Sequence, residues 1–150
     1  MNILIHILTL GMLYFPSYYD IVHLSYNSVQ LEHYLWHFEY VPDSHISQEF
    51  KDPDTFYADR AGDCEDFAVF VYEILTPKGY NCKIYKLYNS EISPSTAHCI
   101  VTYVKGTDRG YFSNWVRHKH VTDPSQICED LGYQTYRQLD WRIHKQWINR

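Results

Sequence analysis

Cys64 stands in the stretch Arg60-Ala61-Gly62-Asp63-Cys64-Glu65-Asp66-Phe67. Asp63 has the side chain of a helix N-cap, and Asp66, three residues on, can reach back to complete a capping box. A cysteine in the first turn of such a helix lies where unpaired N–H groups and the positive end of the helix dipole favour an anion. Its thiol ionises more readily than a free one, and the thiolate is the nucleophilic form. The chemistry this suggests is covalent attack, for which a base must move the thiol proton and a third group must hold that base. Gly62 lets the chain turn tightly and leaves room for a substrate at the sulfur. The plainer reading of the same residues is a well-capped core helix that starts near a cysteine.

The chain has nine histidines, so residue type alone does not pick the base. His98 is set apart by position. It stands at the mouth of the clearest strand, Ala-His-Cys-Ile-Val-Thr-Tyr-Val over residues 97–104, after a polar connection at 89–96. Residues 105–110 read as a hairpin turn and 111–116 as the return strand. Antiparallel neighbours bring Cβ atoms within about 4.5–5.5 Å, close enough for an amide or carboxylate to fix an imidazole. A surface strand histidine is the plainer alternative.

The elements that must position these two residues follow from periodicity. Phe67, Phe70, Val71, Ile74 and Leu75 mark one buried helical face behind Cys64. Pro77 and Gly79 stop that helix, and residues 82–88 alternate as a strand. Asp123-Pro124 starts a short helix through Leu131, closed by Gly132; the segment from there to Arg150 suits helix or strand equally. Upstream, a helix is expected over 30–37, with Val29, Leu31, Leu35, Trp36 and Phe38 in the core. Pro42 and Pro53 place a loop before Arg60, with one helical turn after Asp52-Pro53. The apolar segment 3–15 is too short to span a bilayer and lacks a positive n-region and a small-residue cleavage site. It reads as a core helix ending before Pro16, with a cleaved signal or an interfacial anchor as alternatives. Helices first, then antiparallel strands, make an α+β arrangement.

A length of 150 residues suits one domain with a real core, divided into an N-terminal helical part (1–35), a catalytic core (36–116) and a C-terminal extension (117–150). A net charge of −5 gives no electrostatic case for nucleic acid as partner. Arg137, Arg142, Lys145 and Arg150 gather late, but Asp140 interrupts them and a solvated face explains them. Of the four cysteines, Cys64, Cys82, Cys99 and Cys128, no pair has CxxC spacing, which speaks against a zinc ribbon or thioredoxin-type site. With Cys64 as a working thiol, three remain, an odd number that disfavours a full disulfide framework and favours the reducing cytoplasm. A metal site of Cys64, His98 and Cys99 is disfavoured because successive strand residues point to opposite faces. No cofactor is implied.

Gly62-Asp63-Cys64-Glu65-Asp66-Phe67-Ala68 at a helix start, then Ala97-His98 opening a strand with a hairpin partner behind it, resembles the transglutaminase-like cysteine-enzyme superfamily. Within it, the nearest likeness is to the bacterial and phage transglutaminase-like cysteine peptidases, over residues 36–116. The resemblance implies a papain-like or transglutaminase-like core, with a nucleophile-bearing helix packed on a small antiparallel sheet. It implies Cys64 as nucleophile and His98 as general base, then acid. That family usually has Asp at the end of the second hairpin strand, where this chain reads Tyr111-Phe112-Ser113-Asn114-Trp115. Asn114 is the best match by chemistry, since an amide oxygen can accept the imidazole N–H; Ser113 is the alternative position, and Asp108 lies too far into the turn. Glu65 and Asp66 are expected to serve the helix start, either being able to pair with Arg60. The Cys64 N–H would serve an oxyanion hole, with a second donor from Trp36 or Gln48.

The function implied is acyl transfer through a thioester, by a peptidase or amidase acting on protein or peptide amide bonds. A cross-linking transglutaminase is one alternative. Another is a binding module that kept the fold and lost turnover, favoured by the missing carboxylate and by the 15 tyrosines available for contact.

Overall fold

The computed structural model describes residues 16–24, 26–42, 50–89 and 97–142. The apolar segment 3–15, Gln48, Lys145 and Arg150 lie outside the described residues. Two short helices come first, α1 (Tyr18–His23) and α2 (Ser28–Leu35), each opened by a full capping box: Ser17 with Asp20, and Asn27 with Gln30. The apolar pattern predicts no helix at α1, and α2 starts two residues ahead of the expected helix. Leu31, Leu35 and Phe38 are buried as expected, whereas Val29 and Trp36 are 41% and 58% exposed. Their spacing explains this. Leu31 and Leu35 stack one turn apart on the inner face, and Val29 and Trp36 fall together on the outer one.

A two-residue strand β1 (Glu39–Tyr40) pairs in parallel with β2 (Ala61–Gly62). Between them α3 (Pro53–Asp59) is a complete helix, longer than the single turn expected, with Pro53 at its first position and Phe56 and Tyr57 buried. Arg60 ends it at a left-handed φ of 52°. Then comes α4 (Cys64–Leu75), followed by a 3-10 turn at Thr76–Lys78 and a left-handed Gly79. The rest is β3 (Asn81–Tyr88), β4 (His98–Lys105), β5 (Asp108–Ser113), β6 (Val116–Lys119), α5 (Pro124–Leu131) and β7 (Thr135–Leu139). The helix α5 runs from the Asp123 cap to Gly132 as expected, and the ambiguous C-terminal segment supplies a strand.

Strands β6-β5-β4-β3-β7 form one five-stranded sheet, antiparallel throughout. α4 lies on one face, against Val101, Tyr103 and Phe112, and α5 covers the other through Ile127, near Ile100 and Tyr111. This is the expected α+β arrangement, a cysteine-bearing helix laid on a small antiparallel sheet. Besides the anticipated apolar face, Ala68 and Val69 of α4 are also buried. The helix is covered on its far side by aromatic rings of α3: Phe56 meets Phe67 at 4.9 Å, and Tyr57 stacks on Phe70 at 5.8 Å.

The hairpin after β4 is tighter than the sequence suggests. Lys105 pairs with Asp108, so only Gly106 and Thr107 form the loop, and Gly106 takes the positive φ (59°) that two-residue hairpins require. The return strand therefore starts at Asp108 and ends at Ser113, not at Val116. Asn114 and Trp115 make the next tight turn, Asn114 at φ 53°, and Val116 begins β6. No helix among the described residues is long and apolar enough to cross a membrane.

Candidate active site

The start of α4 is built as its sequence dictates. The Asp63 carboxylate accepts from the N–H groups of Glu65 (2.9 Å) and Asp66 (3.1 Å), and Asp66 Oδ2 accepts the Asp63 N–H. Phe67 N–H is taken by the Asp63 carbonyl. Of the first-turn donors, the Cys64 N–H is left over in the described contacts, pointing from a helix start where an anion is favoured. Asp66 also receives the Lys51 N–H at 2.8 Å, tying the upstream segment to this turn. Gly62 has a different role from the one expected. A Cβ there would meet Asp66 Oδ2 at 2.5 Å and Phe56 at 2.8 Å, so the fold itself fills the space beside it.

The sheet brings His98 and Cys99, the first two residues of β4, to the Cys64 sulfur. Both residues bear on its ionisation, Cys99 through its thiol and backbone and His98 through its side chain. The alternation argument holds for direction and fails for reach. Cys99 packs among the α4-side core and His98 belongs to the other face, yet both bear on Cys64, at the start of α4. The Cys64 thiol is brought down to about 4, chiefly by the Cys99 thiol and then by His98, against the pull of its own burial. The Cys99 thiol moves the opposite way, well above its ordinary value, through its interaction with Cys64 and its burial. Burial also raises Cys82, to about 11, and Cys128. Among the described cysteines only Cys64 has the character of a nucleophile.

The group on the far side of the His98 ring is Ser113, whose Oγ shares a 2.8 Å hydrogen bond with Nε2. Asn114, first choice on chemistry, sits in the turn beyond, its Oδ1 buried and without a hydrogen-bond partner among the described residues. Trp115 leans from the same turn onto Phe67, at 5.7 Å. Asp108 is remote from the ring and accepts from Ser28, at 2.7 and 2.9 Å, and from Tyr80, at 2.6 Å. Trp36 packs edge-on against His33 on the exposed side of α2.

Three more side chains complete the surroundings, in roles that sequence reasoning missed. Lys86 of β3 donates to Glu65 Oε1 at 2.7 Å, so Glu65 pairs with this lysine. The same carboxylate oxygen lies 3.7 Å from the Cys99 sulfur. Tyr133, just past α5, lies nearly parallel to the His98 ring at 6.2 Å. The register of β3 on β4 pairs Lys86 with Cys99, so a strand alignment would have found Lys86. Nothing local marks Tyr133. Among the described residues, no group of three or more His, Cys, Asp or Glu side chains is arranged to hold a metal ion. The arrangement gathers a thiol that ionises readily at a helix start and an imidazole whose Nε2 is held by a hydroxyl.

No protein-family model and no curated protein matches the sequence. Among solved structures, the chain is similar to Legionella pneumophila LapG after EGTA treatment, with a TM-score of 0.46, 21% identity, and 60% of this chain and 53% of that one covered. It is likewise similar to calcium-bound Legionella pneumophila LapG, with a TM-score of 0.45, 23% identity and coverage of 61% and 56%. A third similar structure is a candidate cysteine protease from Cytophaga hutchinsonii, with a TM-score of 0.45, 16% identity and coverage of 75% and 41%. The chain spans about half the length of the LapG chains it matches.

Proposed function

We propose that this protein is a thiol-dependent acyl-transfer enzyme, a cysteine peptidase or amidase acting on protein or peptide amide bonds. The observation that supports the reading is Cys64 at the capped start of α4, its thiol lowered by Cys99 and His98, with His98 Nε2 held by Ser113. Cys64, as thiolate, attacks the amide carbonyl carbon, and the carbonyl electron pair moves onto oxygen. The Cys64 N–H stands where that oxyanion forms. His98 gives its proton to the amide nitrogen, the C–N bond breaks, and an amine departs from a thioester on Cys64. His98 then takes a proton from water, the hydroxyl adds to the thioester carbon, and the C–S bond breaks to release a carboxylate and the thiolate. Ser113 holds the ring and its tautomer through both steps.

The uncharged third residue favours a second reading. A hydroxyl positions an imidazole but puts no negative charge beside the imidazolium, which suits a module that binds through this fold with little or no turnover. One experiment separates the two. The protein is treated with a peptidyl acyloxymethyl ketone, and adduct formation is followed by intact mass and peptide mapping. An enzyme forms a single adduct on Cys64 that is abolished in Cys64→Ala and slowed at least tenfold in His98→Ala. Labelling that is equally slow in wild type and His98→Ala overturns the catalytic reading. Fluorogenic peptide amides, and a glutamine peptide offered together with a primary amine, then distinguish hydrolysis from cross-linking.

A further inference from the structure

The first turn of α4 gathers negative charge around the nucleophile. Asp63, Glu65 and Asp66 flank Cys64, and a carboxylate beside a thiol opposes its ionisation. Asp63 and Asp66 accept backbone N–H groups of the helix start. Glu65 turns to the sheet instead, where Lys86 of β3 donates to its Oε1 at 2.7 Å. The lysine and glutamate side chains are only 17% and 13% exposed, so the pair is little screened by salt. The β3–β4 register sets Lys86 opposite Cys99, the neighbour of His98, and the Cys99 thiol approaches the same Glu65 oxygen at 3.7 Å. Through Glu65 the start of α4 is tied to β3 by an ion pair and to β4 by a thiol.

We propose that Lys86 is a positioning residue for the reaction, acting through Glu65: its ammonium cancels the carboxylate charge next to Cys64 and fixes the start of α4 on the sheet. The role rests on the reading of Cys64 as the nucleophile, and no bond forms or breaks in it. It meets a need the site itself creates. The crowding of charge shows at Asp63, whose carboxyl is pushed up to about 7 by burial and then by Cys64, Asp66 and Glu65. Lys86 is suited to relieve it. Against the pull of burial, Glu65 and, at longer range, Cys99 and Cys64 hold its ammonium above the ordinary value, so it stays charged wherever a thiolate is present. Ser113 brings no charge to the far side of His98, which leaves the balance around the sulfur to be set from the helix and β3.

The titratable and charged groups around Cys64 are His98 and Cys99 from β4, Asp63, Glu65 and Asp66 from the start of α4, Lys86 from β3, and Tyr133 from beyond α5. Arg137 of β7, exposed, is the register partner of Lys86 on its other side. The test is the pH midpoint of iodoacetamide alkylation at Cys64, read by peptide mass, in wild type, Lys86→Met, Lys86→Arg and the double variant Lys86→Met/Glu65→Gln. Lys86→Met leaves the carboxylate uncancelled and is expected to raise the midpoint by about one pH unit or more. Lys86→Arg keeps the charge and should stay near wild type. The double variant removes both charges and should recover at least half of the rise, which a loss of packing alone would not do. Equal midpoints in wild type and Lys86→Met overturn the proposal, as does an arginine or a double variant no lower than Lys86→Met. A wild-type Cys64 that titrates as an ordinary thiol overturns the nucleophile reading instead. If Lys86→Met does not fold, Lys86→Gln, neutral but still a donor to Glu65, takes its place in the same comparisons.

Discussion

A hydroxyl where a carboxylate would serve better changes what His98 can do, and the change is measurable on a single side chain. Ser113 fixes the ring at 2.8 Å. Ser113→Ala should slow Cys64 labelling several-fold, because the ring loses its anchor. Ser113→Asp should speed it by about tenfold, or ~1.4 kcal/mol of barrier, by placing charge beside the imidazolium. Labelling kinetics of the two variants check both expectations. Asp63 carries a second residue-scale prediction. Burial, helped by the charge on Cys64, pushes its carboxyl up to about 7, against the N–H it accepts from Asp66. A carboxyl with a higher pKa folded than unfolded adds stability below about pH 4, its unfolded value, and that stability is lost as pH rises through 7. Cys64, depressed to about 4, works in the opposite sense: its contribution is present above the unfolded thiol value and is lost as pH falls through 4. Asp63→Asn keeps an acceptor for the two N–H groups without the proton. Urea midpoints measured from pH 4.5 to 8 should therefore decline more with rising pH in wild type than in Asp63→Asn.

At the scale of elements, the way α4 enters the fold is the sensitive point. Gly62→Ala drives a methyl into Asp66 and Phe56, breaking the capping box and the aromatic cover together. It should cost about 1–3 kcal/mol, seen as a lower urea midpoint. That start was legible in the sequence: Asp63, Asp66 and the run from Phe67 to Leu75 carry local signals of cap and periodicity, and so do Asp123 and Gly132 around α5. The residue that holds the His98 ring was legible only in part. Side-chain chemistry favours Asn114, while strand geometry favours Ser113. With Gly106-Thr107 as a two-residue loop, the register pairs Ile100 with Ser113 and so turns Ser113 to the face that His98 shares. Recognising Gly106 as the turn residue would have decided between them. Cys99 was hidden for another reason. Strand alternation describes where side chains point, and it is silent on a partner at a strand's end that touches both faces. α1 escaped notice because only Ile21 of its residues is fully buried, among tyrosines and a capping box at Ser17 and Asp20.

For the molecule as a whole, α2 is joined to the far edge of the sheet by a polar knot. Arg117 Nε donates to Glu32 at 3.1 Å and its guanidinium lies 3.9 Å from Asp108, which in turn holds Ser28 and Tyr80. Arg117→Met leaves two carboxylates half-buried without their cation and should destabilise the fold by about 3 kcal/mol. Urea denaturation reads that loss, and the pH midpoint of Cys64 alkylation, set elsewhere, should stay where it was. The last third of the chain returns to the site by a different route. Tyr133 lies beside one face of the His98 imidazole, while Ser113 holds its edge. On the proposed reading, the tyrosine ring narrows the side from which a substrate can reach the imidazole. On that reading, peptides bearing bulk on Tyr133's side of the imidazole would be turned away.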